Sequence, residues 1–291
     1  MRLAYLGTPA AAVPTLQALV AAGHTVEVVV TQPDRKRGRG AGLVPSPVKA
    51  AAIELGISDI CDDVDSVLDR GLDLGVVVAF GKLVKPHVLA ALPMVNLHFS
   101  LLPRWRGAAP VERAVLAGDT ETGVCLMALD EGLDTGGIYE EARTTIGHDE
   151  SVVDLRDRLV GIGTEVIVRR LAGGFASLGD AVPQLGVPTY AKKVDPAELA
   201  LDWSQPGAMC HAQTRLGRAW TTFRGKRLLI HRASLSPSAS APVGCLDGLV
   251  VSCGDATGLK LVEVQPEGKP AMSATAWRNG AQAKVHELFG R

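Results

Sequence analysis

Three side chains suited to acyl transfer stand in one stretch of the chain: Asn96, His98 and Asp134. Asn96 and His98 are two apart in an apolar run typical of a strand, so their side chains are expected on the same face. Transfer of an acyl group, such as a formyl group, to an amine passes through a tetrahedral oxyanion, and the amine must lose a proton. An amide and an imidazole can stabilise that oxyanion, and a carboxylate can help move the proton.

Each of these residues also has an interpretation without function. A lone histidine is more often a core residue, and an aspartate in a glycine-flanked loop often caps backbone amides. The combination of all three favours catalysis. His98 and Asn96 would stabilise the oxyanion, with each donor typically worth about 10²–10³ in rate. Asp134 would orient His98 and take part in proton transfer, typically worth about 10²–10⁴, either directly or through a water molecule.

Alternating strand and helix patterns surround these residues and must position them. Strand patterns occupy residues 2–7, 25–31, 72–80, 94–100, 122–130 and 137–144, and helix patterns occupy 13–22, 47–55 and 151–171. This alternation predicts an α/β fold with a doubly wound, mostly parallel sheet covered on both faces. Ligands bind beyond the carboxyl ends of such strands, so the site is expected where Gly7, Phe80-Gly81 and Asn96-His98 lie.

The pattern changes after the long helix. Residues 172–196 are rich in glycine, proline and polar side chains, and short β-like runs separated by turn residues follow. Short strands of this kind are typical of a small β-barrel. We therefore predict a catalytic domain over 1–180, a linker over 181–200 and a C-terminal β-barrel over 201–291.

Composition and charge limit the class of protein. Of the 291 residues, 47% are hydrophobic and 21% are charged, which is typical of a globular protein. The chain has no apolar run long enough to span a membrane, so we expect a cytoplasmic protein with no membrane partner. We also predict a monomer. The five cysteines lack CxxC spacing, and the histidines show no metal-ligand spacing, so neither a disulfide framework nor a metal is predicted.

The overall net charge of −1 hides an uneven distribution. Residues 1–200 carry 19 basic and 25 acidic side chains, whereas residues 201–291 carry 11 basic and 6 acidic ones. A basic C-terminal part is consistent with contact to a polyanion such as RNA. An ordinary solvated surface explains the charge equally well.

The motifs around these residues resemble the catalytic core of the 10-formyltetrahydrofolate-dependent formyltransferases. That resemblance rests on Asn96-x-His98-x-Ser100-Leu101-Leu102-Pro103, Arg106-Gly107, Pro110 and Gly132-Leu133-Asp134-Thr135-Gly136. Further motifs indicate the branch of the family that formylates methionyl-initiator tRNA: Gly7-Thr8-Pro9, Thr31-Gln32-Pro33-Asp34-Arg35, Pro45-Ser46-Pro47-Val48-Lys49, Gln265-Pro266-x-Gly268-Lys269 and Met272-Ser273-Ala274. The resemblance implies a Rossmann-like formyltransferase domain with Asn96, His98 and Asp134 as its catalytic residues.

The resemblance also implies where 10-formyltetrahydrofolate would bind as co-substrate. The implied folate-binding residues are Phe80, Gly81, Leu83, Val84, Pro86, Ser100, Leu101, Leu102, Pro103 and Asp134. Backbone groups would hold the pterin edge, and Leu83 and Val84 would flank a flat ring. Alternatively, Leu83 and Val84 are ordinary core residues, and the Ser100 hydroxyl serves the structure of its loop.

The implied tRNA contacts fall in two basic regions and at one residue near the site. They comprise Arg35, Lys36, Arg37, Arg39, Arg106, Arg215, Arg218 and Arg224. The first four lie in a long, glycine-rich loop, and loops of this length in α/β domains are usually functional or disordered. Arg106 could shape the loop or contact a phosphate, and a surface arginine that bonds backbone carbonyls explains this residue equally well. Trp220 and Phe223, which lie among the C-terminal basic residues, are predicted to be barrel-core residues.

The same sequence features are compatible with other functions. The same core could formylate an amino-sugar nucleotide, hydrolyse formyltetrahydrofolate, or survive in a catalytically silent RNA-binding protein. A nucleotide-dependent dehydrogenase is disfavoured because the chain lacks a GxGxxG fingerprint.

Two positions depart from the family pattern, Phe99 in place of Gly and Cys125 in place of Thr, and both are expected to alter packing alone. Residues 216–220, from Leu216 to Trp220, occupy the place where the family has an Asn-Pro-x-Pro segment. The region around residues 57–74 is shorter than the corresponding region of the family.

Overall fold

The structure is a computed structural model that describes residues 1–36 and 42–290. The strands are β1 (Arg2–Gly7), β2 (Thr25–Val30), β3 (Arg35–Lys36), β4 (Leu43–Val44), β5 (Ile60–Cys61), β6 (Leu74–Val78), β7 (Met94–His98), β8 (Arg106–Gly107), β9 (Glu121–Ala128), β10 (Ile138–Thr145), β11 (Tyr190–Ala191), β12 (Ala219–Phe223), β13 (Lys226–Ser236), β14 (Leu246–Asp247), β15 (Val250–Ser252), β16 (Gly258–Pro266) and β17 (Met272–Ser273).

The α-helices are α1 (Val13–Ala21), α2 (Pro47–Glu54), α3 (Pro86–Ala91), α4 (Pro110–Leu116), α5 (Val152–Leu171), α6 (Gly207–Thr214) and α7 (Ala274–Ala281). Two of them begin at caps that the sequence displays. The Ser46 hydroxyl accepts from the backbone of Lys49, with Pro47 at the first helical position, and Ser151 does the same for Asp154. No described helix is both long and apolar enough to cross a membrane.

A seven-stranded sheet in the order β5-β2-β1-β6-β7-β9-β10 forms the N-terminal core. The first five of these strands run parallel, and β9 and β10 add an antiparallel edge. The central strands are buried throughout, as expected for a parallel sheet covered on both faces. The doubly wound fold class is confirmed. The strand order reverses between β1 and β6, which is where such sheets bind ligands.

Most long elements begin and end within a few residues of their predicted bounds, but several short ones were not predicted. β3 and β4, which are each two residues long, form a hairpin within the segment interpreted as a long loop. β8 pairs in parallel with β11, which lies far from it in sequence. A strand of only two residues is too short for an alternating pattern to be recognised in the sequence. Pairing with another segment defines these elements.

The C-terminal sheet is antiparallel, in the order β12-β13-β16-β15-β14, with β17 added to β16. Its two edges are joined by the segment 286–290. The backbone N–H of His286 donates to the Leu246 carbonyl in β14, and that of Gly290 donates to the Thr222 carbonyl in β12. The sheet therefore closes on itself, as a barrel does.

An aromatic cluster fills this closed sheet. The rings of Trp203, Phe223, Trp277 and Phe289 are buried and in contact, with centroids 5.1 to 5.9 Å apart. The prediction of a core position is correct for Phe223 and wrong for Trp220. Alternation along β12 turns Trp220 outward, where the Arg227 guanidinium lies 4.5 Å from its ring centroid.

Two compact units divide the chain, and neither is continuous in sequence. One comprises residues 1–110, 121–145 and 156–192, and the other comprises 111–120, 146–155 and 193–291. The segment interpreted as a linker, 181–200, is split between them. In the first unit, Val182 bridges to Ile138 and β11 pairs with β8, whereas in the second Glu198 is paired with Arg113.

Candidate active site

The site forms at the carboxyl ends of the parallel strands, in the first unit. The Thr8 hydroxyl, just beyond β1, donates to the carbonyl of Phe80 and accepts from the backbone N–H of Gln32. These bonds tie together the ends of β1, β2 and β6. Thr8 and Gln32 were noted only as parts of motifs, and their role in joining strand ends emerges from the structure.

His98 ends β7 and is buried, as is Asn96 two residues before it. The Nε2 of His98 lies 2.9 Å from the carbonyl oxygen of Trp105. A carbonyl can only accept, so Nε2 carries the proton in this bond. The opposite nitrogen, Nδ1, lies 3.6 Å from Oδ2 of Asp134. This distance is too long for a direct hydrogen bond, and so Nδ1 is the nitrogen available to a ligand.

Asp134 is held in place by its side chain and its backbone. Its Oδ2 accepts a 2.7 Å hydrogen bond from the Gly107 N–H, and its own carbonyl accepts one of 2.9 Å from Nε2 of Gln184. The residue has φ +53°, in the left-handed region that few non-glycine residues occupy. The capping interpretation of Asp134 is thus partly correct. Its carboxylate caps one backbone amide and also faces His98.

Glycine is required beside Asp134 for steric reasons. A Cβ at Gly136 would stand 1.9 Å from the backbone oxygen of Ala128, which cannot move without disturbing β9. The loop is closed at its other end by Asp130, whose carboxylate accepts from the Thr135 hydroxyl at 2.6 Å. The loop that carries Asp134 is therefore fixed at both ends.

Gln184 is a residue that the sequence analysis missed. Its Nε2 donates to the carbonyls of both Asp134 and Gly136, at 2.9 and 2.8 Å, and its Oε1 accepts from Nε and Nη2 of Arg106. This geometry corresponds to the interpretation in which Arg106 shapes the loop. No local pattern marks Gln184, because it lies in the segment interpreted as a linker.

The turn after β7 brings the Trp105 carbonyl to His98. The Ser100 hydroxyl is fully buried and donates to the Arg104 carbonyl at 2.6 Å, which is the structural role considered for it. Leu102 packs in a small buried cluster with Cys125 and Met127. The side chains of Ser100 and Leu102 are therefore within the protein, whereas those of Leu101 and Pro103 are partly exposed.

Burial raises the pKa of the Cys125 thiol to about 12. The sulfur accepts a hydrogen bond from the Leu102 N–H, which lowers this pKa, but the effect of burial is larger. The thiol is therefore protonated at neutral pH and is a packing group. The neighbouring departure from the family pattern, Phe99, is also buried. Both substitutions lie in the packing around the site.

The loop predicted to bind folate follows β6. Phe80 is buried, whereas Gly81 and Pro86 are exposed, and Gly81 has φ +76°. Leu83 is 79% exposed, which contradicts the interpretation of this residue as core. Val84 does pack against the core. An exposed leucine at the carboxyl end of a central strand is an apolar surface suited to a ligand ring.

The predicted tRNA residues differ in their surroundings. Arg37 and Arg39 lie outside the described residues. Arg35 and Arg218 are exposed, and the backbone of Lys36 pairs with β4. Other contacts fix the base of the loop: Thr31 with Ser46 at 2.7 Å and Asp34 with Lys49 at 2.8 Å.

Two further predicted tRNA residues are engaged within the second unit. Arg215 donates to the carbonyls of Glu150 and Gly147, both at 2.8 Å. Arg224 forms a two-point ion pair with Glu287. Both guanidinium groups have structural roles in the described part of the chain.

Comparison with known proteins decides the family. The family model "Formyl transferase" matches residues 1–171, which include every candidate catalytic residue, and "Formyl transferase, C-terminal domain" matches residues 193–282. The chain belongs to the formyl transferase family. The resemblance inferred from the motifs around His98 and Asp134 is thus confirmed.

Close relatives within the family match along the whole chain. A methionyl-tRNA formyltransferase from Jannaschia sp. (strain CCS1) is 41% identical over 97% of this chain and 97% of the relative. One from Methylococcus capsulatus is 40% identical over 100% and 99%. The N-formyltransferase from Helicobacter canadensis, whose crystal structure is a complex with folinic acid and dTDP-3-aminofucose, superimposes with a TM-score of 0.72 over 91% of this chain and 98% of that one. At 16% identity, this last likeness concerns the fold alone.

Proposed function

We propose that this enzyme transfers the formyl group of 10-formyltetrahydrofolate to the α-amino group of methionyl-initiator tRNA, for translation initiation in the cytoplasm. The observation that carries the choice of acceptor is the match to methionyl-tRNA formyltransferases along both units. A glycinamide ribonucleotide formyltransferase would not need the C-terminal part. The facing pair of His98 and Asp134 at the strand ends supports the chemistry.

In the proposed reaction, the neutral amine attacks the formyl carbon directly and a C–N bond forms. The resulting oxyanion is stabilised by Nδ1 of His98 and by the Asn96 amide. Because Nε2 already donates to the Trp105 carbonyl, donation through Nδ1 requires a doubly protonated ring, and Asp134 supplies the compensating charge. The bond from the formyl carbon to the folate nitrogen then breaks.

Proton balance assigns a second role to Asp134. The attacking amine gains a positive charge, and the carboxylate, directly or through a water molecule, accepts its proton. Asp134 then returns this proton, directly or through the same water molecule, to the departing folate nitrogen, so tetrahydrofolate leaves as a neutral amine and the carboxylate is restored. No covalent enzyme intermediate is needed, in keeping with the buried and protonated Cys125 thiol.

Folate is proposed to bind along the loop after β6, with exposed Leu83 and half-buried Val84 beside the ring. The backbone groups of Phe80, Gly81 and Pro86, and those of Ser100 to Pro103, would contact the pterin from the strand ends, opposite Asp134. For Ser100 and Leu102, whose side chains are buried, only backbone contact is proposed.

The tRNA is proposed to contact the loop that begins at Arg35 and the basic C-terminal part, residues 201–291. Neutralising phosphates with arginine and lysine releases counterions and gives salt-dependent affinity. Exposed Arg35 and Arg218 are suited to this contact as they stand. Arg106, Arg215 and Arg224 would have to exchange their present partners to reach a phosphate.

The decisive experiment measures transfer of label from 10-formyltetrahydrofolate to methionyl-initiator tRNA. Uncharged tRNA and a UDP-amino sugar serve as competing acceptors in parallel reactions. We expect label on methionyl-tRNA alone. Label on the sugar would favour the amino-sugar alternative, and free formate with every acceptor would indicate hydrolysis. Binding of tRNA without any turnover would indicate a silent RNA-binding protein.

A further inference from the structure

A second group of titratable side chains lies within the second unit and takes no part in the chemistry proposed above. His148 and Asp149 lie in the turn before α5, and His211 lies in α6. Nδ1 of His148 and Nε2 of His211 are each 3.0 Å from Oδ1 of Asp149, and the two imidazole rings stack with centroids 5.3 Å apart. The three atoms all lie within 4.8 Å of one another.

His211 is the member of this group that points to a ligand. Its side chain is only 6% exposed. Nε2 has no hydrogen-bond partner among residues 1–36 and 42–290. Oδ1 of Asp149 lies near it, but this contact does not have the geometry of a hydrogen bond. A buried polar atom left without a partner is costly and calls for an explanation. Imidazole nitrogens are the commonest metal ligands in proteins, so Nε2 of His211 is suited to a metal ion.

We propose that His148, Asp149 and His211 form a binding site for a divalent transition-metal ion, with zinc as the best match. Two imidazole nitrogens and one carboxylate oxygen are a preferred donor set of zinc, and a water molecule would complete a tetrahedron. Donor atoms about 2.0–2.1 Å from a tetrahedral ion stand roughly 3.3 Å from each other. The spacing of 3.0 Å from Asp149 to each ring is close to that value.

The surrounding contacts hold the three donors near one another before any ion binds. The Arg215 side chain, directly after α6, donates to the carbonyls of Gly147 and Glu150 on either side of His148 and Asp149. The backbone N–H of Val152 in turn donates to the Arg215 carbonyl at 2.9 Å. The Arg215 charge opposes a cation, and the Asp149 carboxylate offsets it. A bound ion would therefore connect the turn before α5 to α6.

The test uses the full chain, purified without a histidine tag and stripped with a chelator. Titration with zinc chloride, followed by calorimetry, should show one ion per chain, and cobalt(II) should give the visible absorption of a tetrahedral site. Saturating zinc should raise the unfolding temperature, because only the folded chain presents the three donors together. Binding is measured without folate or tRNA, so its outcome is independent of the proposed catalytic function.

His148→Ala is the informative variant, because the side chain is 70% exposed and its loss should leave the fold intact. We expect its zinc affinity to fall at least tenfold, with a similar loss in Asp149→Asn. His87→Ala is the matched control. His87 is also exposed and lies 3.1 Å from an aspartate, Asp65, but lacks a second imidazole. Substoichiometric binding in the unmodified chain, or equal affinity in His148→Ala and the control, would overturn the proposal.

Discussion

At His98, the two ring nitrogens have different partners, and that difference defines the proposed chemistry. Nε2 is bonded to a backbone carbonyl, so it fixes the ring, while Nδ1 faces Asp134 across 3.6 Å. A formyl oxygen bound at Nδ1 would meet a ring that is already oriented, and preorganised donors are the main source of oxyanion stabilisation in enzymes.

Replacing Asp134 with asparagine should remove its charge and keep its shape. Asparagine tolerates the positive φ of this position, and its carbonyl oxygen can still accept from Gly107. We expect the rate of formyl transfer in single turnover to fall about 10²–10⁴-fold while the unfolding temperature stays within a few degrees. Asp130→Asn, a change in the same loop, is the control. A loss no greater than that of the control would remove Asp134 from the mechanism.

The Cys125 thiol offers a prediction about reactivity. With its pKa raised to about 12 by burial, it should carry almost no thiolate at pH 8, and the thiolate is the reactive form. Iodoacetamide should therefore modify the half-exposed Cys61 and leave Cys125 unmodified, with formyl transfer retained. Peptide mass spectrometry locates the label. Rapid labelling of Cys125 in the folded chain would contradict the packing role assigned to it.

The candidate site shows what the sequence can predict at this scale. Asn96, His98 and Asp134 could be identified because their types and motif spacing carry chemical information. The Trp105 carbonyl and Gln184 could not, because a backbone carbonyl leaves no trace in a sequence and Gln184 lies 50 residues beyond Asp134.

At the scale of elements, the loop of Asp134 depends on contacts from outside the loop. Gln184 holds two carbonyls of that loop and binds Arg106 next to Gly107, whose N–H is bonded to Asp134. The segment after α5 therefore acts as a clamp on the catalytic loop.

Replacing Gln184 with alanine should loosen this clamp without removing any reacting group. Because small displacements of a catalytic group reduce rate strongly, we expect the turnover number to fall by roughly tenfold or more. Leu185→Ala is the control, since the neighbouring side chain is 84% exposed. Steady-state kinetics of the two variants, with unfolding temperatures measured in parallel, make the comparison. Equal turnover in the two would show that the loop holds its geometry without Gln184.

Element prediction succeeded where a period extends over many residues. The alternation along β12 places Trp220 on the outer face, so the core position predicted for this aromatic residue conflicts with the period of two. Strands of two residues, such as β8 and β11, are too short to show a period in the sequence. Their register is set by the strand with which they pair.

For the molecule as a whole, the closure of the C-terminal sheet depends on the segment 286–290. Phe289 links this segment to the core by touching the rings of Trp203, Phe223 and Trp277. Loss of closure would expose two strand edges, which are sites for aggregation.

Phe289→Ala should therefore destabilise the protein by about 3–5 kcal/mol, the usual cost of deleting a buried phenylalanine. Urea unfolding followed by tryptophan fluorescence measures the free energy of unfolding, since Trp203 and Trp277 report on this core directly. Val285→Ala is the control, because Val285 is 55% exposed. A change below 1 kcal/mol for Phe289→Ala would mean that the sheet closes without this ring.

The discontinuous units set an order of events during synthesis. The turn that carries His148 and Asp149 belongs to the second unit, and Arg215, which holds that turn, lies 65 residues beyond Glu150. At about 5–20 residues per second, a ribosome needs roughly 3–13 s to make that stretch. During this interval the newly made turn is without Arg215, its partner in the folded chain. A helper protein that shields nascent chains would find it there, and a codon change that slows translation between the two segments would prolong the exposure.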